Sequence, residues 1–118
     1  MESSLIEKLQ KGRPVSFTRE EEETLTESLR EAMANTLELS VEEVSNDAKI
    51  FDVLGVDSID VFDILDQLGE KFEVEVPLEE LPEAFVRGGE DTTFRDFANG
   101  LIGFFGTPPR GIKPPPIK

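Results

Sequence analysis

The sequence predicts an all-α protein. Apolar residues recur with helical spacing in three segments, near residues 19–37, 58–72 and 94–102. Each segment is preceded or opened by a Ser, Thr or Asp that can cap a helix. Alternation of the kind that marks a strand runs no further than Phe72–Val76. These observations favour packed helices over a sheet.

The first long helix is predicted to begin after Thr18 and to run to about Leu37. Thr18 is followed three residues later by Glu21, which fits a capping box. The acidic run over residues 20–23 then falls in the first turn, where negative charge suits the helix dipole. The buried stripe of this helix is predicted to comprise Leu25, Leu29, Ala32, Met33 and Leu37.

A long connection follows this helix. Ser40 and Glu43 match a second capping box over one short turn, and the connection then runs from Ser45 to Asp57. Gly55 interrupts it, as expected for a turn. The apolar residues expected to pin this connection onto the helices are Ile50, Phe51, Val53 and Leu54.

The next helix is predicted over about Ser58–Phe72, with one apolar and one acidic face. Its buried face comprises Val61, Ile64, Leu65, Leu68 and Phe72. The residues that should point to solvent are Ile59, Asp63, Asp66 and Glu70, with Asp60 and Phe62 on the flanks. Residues 50–70 contain six acids and no Lys or Arg. Exposed apolar residues among one sign of charge suit a docking surface, although an ordinary solvated helix face explains the pattern equally well.

The rest of the chain is predicted to hold a short segment, a loop, a last helix and a tail. Pro77 can open a short helix that ends near Leu81, and residues 82–89 are loop-like. Thr92 or Thr93 can cap the last helix, whose core residues are Phe94, Phe97, Leu101 and Ile102. We predict an N-terminal extension over residues 1–18, one helical domain over 19–105, and an extended, Pro-rich basic tail over 106–118.

Composition excludes several classes of function. The formal net charge is −14, which repels nucleic acid and attracts partners with basic faces. The chain has no Cys and no His, so thiolate chemistry, Ser-His pairs and the commonest metal ligand are absent. No apolar run is long enough to span a membrane, and no secretion signal is evident. We therefore expect a cytoplasmic protein that is not itself an enzyme and has no metal site.

One short motif points to a specific chemistry. Gly55 permits a turn that would present Ser58 at the start of the acidic helix, within the sequence Leu-Gly-Val-Asp-Ser-Ile-Asp over residues 54–60. Taken alone, Asp-Ser-Ile-Asp is better explained as a helix N-cap, because tetrapeptides match by chance. Here the motif follows a long connection from a first amphipathic helix, and it opens an acidic helix. This context changes that interpretation.

With this context the sequence resembles the acyl carrier protein family over about residues 22–102. In that family the serine of an Asp-Ser-Leu motif receives a 4′-phosphopantetheine arm from coenzyme A. Ser58 occupies the position of that serine, and Ile59 occupies the position of the leucine. The resemblance implies an acyl-carrier-type four-helix bundle of three main helices and a short one. A long loop over residues 78–91 and the two terminal additions suggest a specialised member.

The resemblance also implies roles for the residues around Ser58. Acidic and apolar residues would be recognised by basic faces of a phosphopantetheinyl transferase and of client enzymes, such as an acyl-loading ligase or synthase, an acyltransferase or a ketosynthase. These docking residues are Asp57, Ile59, Asp60, Phe62, Asp63, Asp66 and Glu70. The candidates to line a pocket for the acyl chain are Phe51, Leu54, Leu65 and Leu68. A monomer is expected.

The function predicted from the sequence is therefore that of a carrier. It would hold acyl groups as thioesters on an arm attached to Ser58 and deliver them to enzymes of fatty acid, lipid or specialised metabolite synthesis. Two alternatives remain open at this point. One is a carrier of aminoacyl units, and the other is an acidic adaptor that is never modified and binds partners through the helix over residues 58–72. An enzyme with a serine nucleophile is disfavoured, because the chain has no His.

Overall fold

The protein is described from a computed structural model, which is all-α over the residues that it describes, namely 2–12, 14–76, 80–81, 85 and 91–106. The described α-helices are α1 (Glu2–Lys11), α2 (Arg19–Leu37), α3 (Ser58–Phe72) and α4 (Phe94–Phe105). A short 3₁₀ helix covers Val41–Glu43. Within those ranges the nearest approach to a sheet is one isolated bridge between Lys49 and Thr93. The predicted fold class is confirmed.

Helix α2 begins and ends as the sequence predicts. The Glu21 backbone N–H donates to Thr18 Oγ1 at 3.2 Å, and the Glu21 carboxylate accepts from the Thr18 N–H at 2.8 Å. This reciprocal pair satisfies two of the unpaired donors at the helix start. The helix ends at Leu37, and its C-cap Glu38 has a φ of 58°, in the left-handed region.

Helices α2 and α3 pack antiparallel, which fixes where Ser58 lies in the bundle. Asn35 donates to the Gln67 side chain at 2.9 Å, whereas Lys71, further along α3, pairs with Glu31, which comes earlier in α2. Ser58 is therefore at the end of the bundle where α2 finishes. The predicted apolar face of α3 is buried, as are Leu25, Leu29, Ala32 and Met33 of α2.

Helix α1 differs from the prediction. The sequence predicts only an N-terminal extension over residues 1–18, whereas in the structure α1 has ten residues, and Leu5 and Leu9 are buried in the core. The Gln10 side chain donates to the Glu73 carbonyl at 2.9 Å, at the end of α3. The extension is therefore packed onto the bundle, and the boundary at residue 18 stays a prediction about domain organisation.

The connection between the 3₁₀ helix and α3 is held against the start of α4. The Ile50 N–H donates to the Thr92 carbonyl at 3.1 Å, and the Phe94 N–H donates to the Ala48 carbonyl at 2.9 Å. Ile50 is buried, while Phe51 and Leu54 are half-buried. The expectation for Val53 was wrong, since its side chain is 67% exposed. The N–H groups of Val53 and Leu54 both donate to the Lys49 carbonyl, which makes a single helical turn with one side facing water.

Helix α4 is capped by Thr93. Its Oγ1 accepts from the Asp96 N–H at 3.2 Å, and the Asp96 carboxylate accepts from the Thr93 N–H at 3.2 Å. The core residues predicted for α4 are buried, except that Ile102 is half-buried. Most of the predicted short segment over 77–81, most of the loop over 82–89, and the tail beyond Gly106 lie outside the described residues.

Candidate functional site: an exposed serine at the start of an acidic helix

Ser58 is the first residue of α3, and its hydroxyl is not used to build the helix. The N-cap is Asp57, whose carboxylate accepts from the Asp60 N–H at 2.9 Å. The Asp60 carboxylate accepts from the Asp57 N–H at 3.2 Å and completes the capping box. Ser58 is exposed, and its hydroxyl has no hydrogen-bond partner among the described residues. An accessible, uncommitted hydroxyl is what covalent attachment from outside requires.

The backbone before Ser58 holds it in place. Gly55 has a φ of +81°, which residues with a Cβ adopt only at a cost. Val56 is buried, and its N–H donates to the Ile50 carbonyl at 2.9 Å. The glycine thus turns the chain, the valine anchors it to the core, and Asp57 starts the helix directly afterwards.

The exposed side of α3 combines apolar and acidic side chains. Ile59 is 74% exposed and Phe62 is 39% exposed, which is high for side chains of this size. Asp63, Asp66 and Glu70 are exposed alongside them, and Asp60 is half-buried by its role in the cap. Of the seven predicted docking residues, six are exposed and Asp60 is half-buried, and they are spread along α3 from its N-cap to its last turn.

This surface carries negative charge without local compensation. In the described part of the chain, none of the acidic residues from Asp57 to Glu70 is in a salt bridge. The basic residue of α3, Lys71, lies at the far end of the helix and pairs with Glu31 of α2 at 3.5 Å. The field around Ser58 is therefore negative, which favours partners with basic faces.

Two comparisons with known proteins find sequences related to this chain. A family model described as a phosphopantetheine attachment site matches residues 27–85, half of the chain. The acyl carrier protein of Sulfurovum sp. (strain NBC37-1) is 34% identical over 70 residues, which cover 59% of this chain and 92% of the relative. The acyl carrier protein of Wolinella succinogenes is 37% identical over 54 residues, covering 46% of this chain and 71% of the relative. The chain belongs to the acyl carrier protein family.

Proteins of this family carry a covalently attached 4′-phosphopantetheine group, and the family is one of carriers rather than of catalysts. Membership implies interaction with a phosphopantetheinyl transferase and with client enzymes. No solved structure matches this carrier. Ser58 is a candidate attachment point that fits such a group, because its hydroxyl is exposed and unengaged at the start of α3.

Among the grooves formed by the described residues, Leu65 and Leu68 of the predicted pocket line two different ones. Leu65 lines a groove of about 410 Å³ beside Val74 and Val76, at the end of α3 remote from Ser58. Leu68 lines a different groove of about 240 Å³, between α2 and α3. Phe51 and Leu54 are half-buried against the core and line neither groove. The assignment of an acyl pocket to these four residues stays a prediction.

The described parts of the carrier show no metal centre. Over these residues, no three His, Cys, Asp or Glu side chains are placed so that they could hold one ion. Across the same residues, none of the helices combines the length and the apolar character needed to cross a membrane.

Sequence reasoning missed one exposed apolar residue near the site. Val53 was expected to help pin the connection onto the helices, but it lies exposed five residues before Ser58. No pattern in the sequence indicates this exposure, which depends on the turn in which the Val53 and Leu54 N–H groups donate to the Lys49 carbonyl.

Proposed function

We propose that this chain is an acyl carrier whose phosphopantetheine arm is attached to Ser58 and which delivers acyl groups to enzymes of fatty acid, lipid or specialised metabolite synthesis. The observation that supports this proposal is the state of the Ser58 hydroxyl. It is exposed, it lies at the start of α3, and Asp57 rather than Ser58 caps the helix. A serine that served as the N-cap would have its oxygen occupied by a backbone N–H.

The composition supports the same assignment. Thioester chemistry requires a thiol, and the chain has no Cys. When bound, the arm supplies that thiol. The chain's own contribution is the surface that presents Ser58 and the Ser58 oxygen, which forms the phosphodiester as the pyrophosphate bond of coenzyme A breaks and adenosine 3′,5′-bisphosphate leaves. With no His in the chain, activation of the hydroxyl is assigned to the transferase.

The exposed face of α3 is proposed as the surface that transferase and clients recognise. Ile59 and Phe62 supply apolar contact area, and the surrounding carboxylates supply charge that attracts basic side chains. Acyl-loading enzymes and acyltransferases or ketosynthases with basic docking faces are the clients that this chemistry suits.

Intact mass spectrometry tests the attachment site. The protein is incubated with coenzyme A, Mg²⁺ and a phosphopantetheinyl transferase of broad specificity. The unaltered chain is expected to gain one phosphopantetheine increment, and Ser58→Ala is expected to gain none. Ser45→Ala is the matched control, because Ser45 is also an exposed serine of the connection before α3. It should be modified like the unaltered chain.

Two results would overturn the assignment. If Ser58→Ala gained the phosphopantetheine mass to the same extent as the unaltered chain, the arm would be attached to a residue other than Ser58. Failure of the unaltered chain to gain mass, with a helical circular dichroism spectrum to show that it is folded, would remove the carrier function itself.

A further inference from the structure

Arg30 is an unusual residue of α2, because it is basic in an acidic part of the chain and its side chain is mostly buried. Residues 20–48 contain ten acids, and Arg30 is their one base. The Arg30 side chain is only 14% exposed. Arginine on a helix normally keeps its head group in water, so burial of this one requires specific partners.

The guanidinium of Arg30 holds the connection before α3 at two points. Its Nε donates to the Val44 carbonyl at 2.7 Å, and its Nη2 donates to the Asn46 side-chain oxygen. Its Nη1 pairs with Glu27, one turn earlier in α2. Because a guanidinium is planar and its donors have fixed directions, these contacts set both the distance and the orientation of the connection relative to α2.

The same guanidinium also lies over Phe94, the first residue of α4. The Arg30 Cζ is 4.6 Å from the centroid of the Phe94 ring, which is within the range of a cation–π interaction. Phe94 is fully buried. Arg30 therefore joins three parts of the fold, namely α2, the connection and the start of α4.

Backbone hydrogen bonds extend this junction along the connection. The Asn46 carbonyl accepts from the Arg95 N–H at 3.0 Å, and the Ala48 carbonyl accepts from the Phe94 N–H at 2.9 Å. The segment that Arg30 contacts is thus paired with the first turn of α4.

Ile50 links the paired segment to Ser58. Its N–H donates to the Thr92 carbonyl at 3.1 Å, and its carbonyl accepts from the Val56 N–H at 2.9 Å. Ile50 and Val56 are both buried, and Val56 is separated from Ser58 by the N-cap Asp57 alone. A change in the connection near Arg30 is therefore transmitted to Ser58 through a short series of backbone contacts.

We propose that Arg30 is a positioning residue for attachment of the arm, acting through the connection that presents Ser58. The inference rests on the proposed function in taking Ser58 as the attachment site. Without the guanidinium, the bundle still folds, but residues 44–57 adopt several arrangements, and the transferase binds one of them. Its apparent affinity for the protein then falls in proportion to the population of that arrangement.

Kinetics of phosphopantetheine attachment test this role. Arg30→Met keeps an apolar stem and removes the guanidinium. We expect the KM for the protein to rise about threefold to tenfold and kcat to stay within about twofold, since the chemistry of the bound complex is unchanged. Arg19→Met is the matched control, because Arg19 is on the same helix, carries the same charge and is 93% exposed. Its KM should equal that of the unaltered chain.

Two further variants separate the geometry of Arg30 from its charge. Arg30→Lys keeps the charge, but an ammonium lacks the planar fork that holds Val44 and Asn46 together, so the KM should remain raised. Asn46→Ala removes one acceptor at an exposed position and serves as the test if Arg30→Met does not fold. It should raise the KM about twofold to threefold, and less in the Arg30→Met background, because the two residues share one contact.

Hydrogen exchange followed by NMR examines the connection without any arm. In Arg30→Met the Ile50 and Val56 amides should exchange about tenfold faster, whereas the Leu65 amide in α3 should change much less. A merely structural effect on the whole bundle would accelerate all three amides alike. Arg19→Met should leave all three unchanged.

Three results would overturn the proposal. They are an unchanged KM in folded Arg30→Met, full recovery of the KM in Arg30→Lys, and equal acceleration of exchange at Leu65 and at Ile50. If the unaltered chain gained no arm, the proposed function itself would fail. The exchange measurement would then still decide whether Arg30 holds the connection, so the two failures are distinguishable.

Discussion

At the scale of single residues, Asp57 combines two roles that a substitution can separate. It caps α3 through the Asp60 N–H, and it is one of the charges proposed to attract a transferase. Asp57→Asn keeps a side-chain acceptor of similar capping strength and removes the charge. We expect the melting temperature to change little and the rate of Ser58 modification at low enzyme to fall about threefold to tenfold, since charge at an interface mainly affects association.

Asp52→Asn is the control for that measurement, because Asp52 is an exposed acid in the connection before α3 and is not on that helix. Its modification rate should stay close to that of the unaltered chain. A large loss of stability in Asp57→Asn, or equal rates in the two variants, would show that Asp57 acts only as a cap.

Gly55 offers a second prediction at the residue scale. Nothing lies within 4 Å of a Cβ built at Gly55, so the cost of Gly55→Ala comes from its φ of +81° alone. The expected loss is about 1 kcal/mol of the free energy of unfolding. Gly103 is the matched control, because it too has open space but lies inside α4 with ordinary helical geometry. Gly103→Ala should stabilise the protein by up to about 1 kcal/mol.

Chemical denaturation of the two glycine variants gives the comparison directly. Opposite signs are expected. Two changes of the same sign and size would mean that the backbone at Gly55 is not held in the left-handed region, and the account of how Ser58 is presented would then be wrong.

At the scale of helices, α1 is the element that differs most from the sequence prediction, because it packs into the core. Leu5 is buried in the core between α1 and α2, so Leu5→Ala should cost about 2–5 kcal/mol of the free energy of unfolding. Glu7→Ala, an exposed change in the same helix, should stay within about 0.5 kcal/mol. Equal effects of the two substitutions in urea denaturation would mean that α1 is an appendage after all.

The salt bridge between Lys8 and Glu21 gives α1 a dependence on pH. The hydrogen bond from Lys8, followed by that from the Thr18 backbone, holds the pKa of Glu21 below its ordinary value of 4.5. A lowered pKa means that the stabilisation is present above pH 4.5 and is lost as pH falls through the pKa of the folded state. The difference in melting temperature between the unaltered chain and Lys8→Met should therefore shrink as pH is lowered from 6 to 3.5.

A difference that stays constant over this pH range would show that Lys8 contributes through packing of its side chain and not through the charge of Glu21. Lys49→Met is a suitable control, because Lys49 pairs with Asp91 at 3.4 Å in an exposed position, where an ion pair contributes little to stability.

The bounds of α2 and α3 and the start of α4 could be predicted because capping residues and apolar spacing act locally. Thr18, Asp57 and Thr93 each satisfy backbone donors within three residues, so the sequence alone contains that information. The packing of α1 could not be predicted in the same way. Leu5 and Leu9 show a helix with an apolar side, but which helix covers that side depends on tertiary contacts. The grooves beside Leu65 and Leu68 also arise from packing and left no signal in the sequence.

At the scale of the whole molecule, the acidic residues include two groups, one along the exposed side of α3 and one in the first turn of α2. The antiparallel packing puts Ser58 at the end of the bundle remote from the start of α2, but the acids of α3 continue to Glu70, next to the Lys71 that pairs with Glu31 of α2. Repulsion among the acids within each group remains. This repulsion lowers the stability of the folded bundle.

Added salt should relieve that repulsion. With 26 acidic and 12 basic residues, screening removes more unfavourable than favourable interactions, so the melting temperature should rise by several degrees between 10 and 300 mM NaCl. Asp63 and Asp66 are three residues apart on the exposed side of α3, where like charges destabilise a helix. The variant Asp63→Asn, Asp66→Asn should therefore melt higher at low salt and respond less to NaCl. The measurement is differential scanning calorimetry of the unaltered chain. If its melting temperature stays constant or falls as NaCl is added, repulsion among the acidic residues does not lower the stability of the fold.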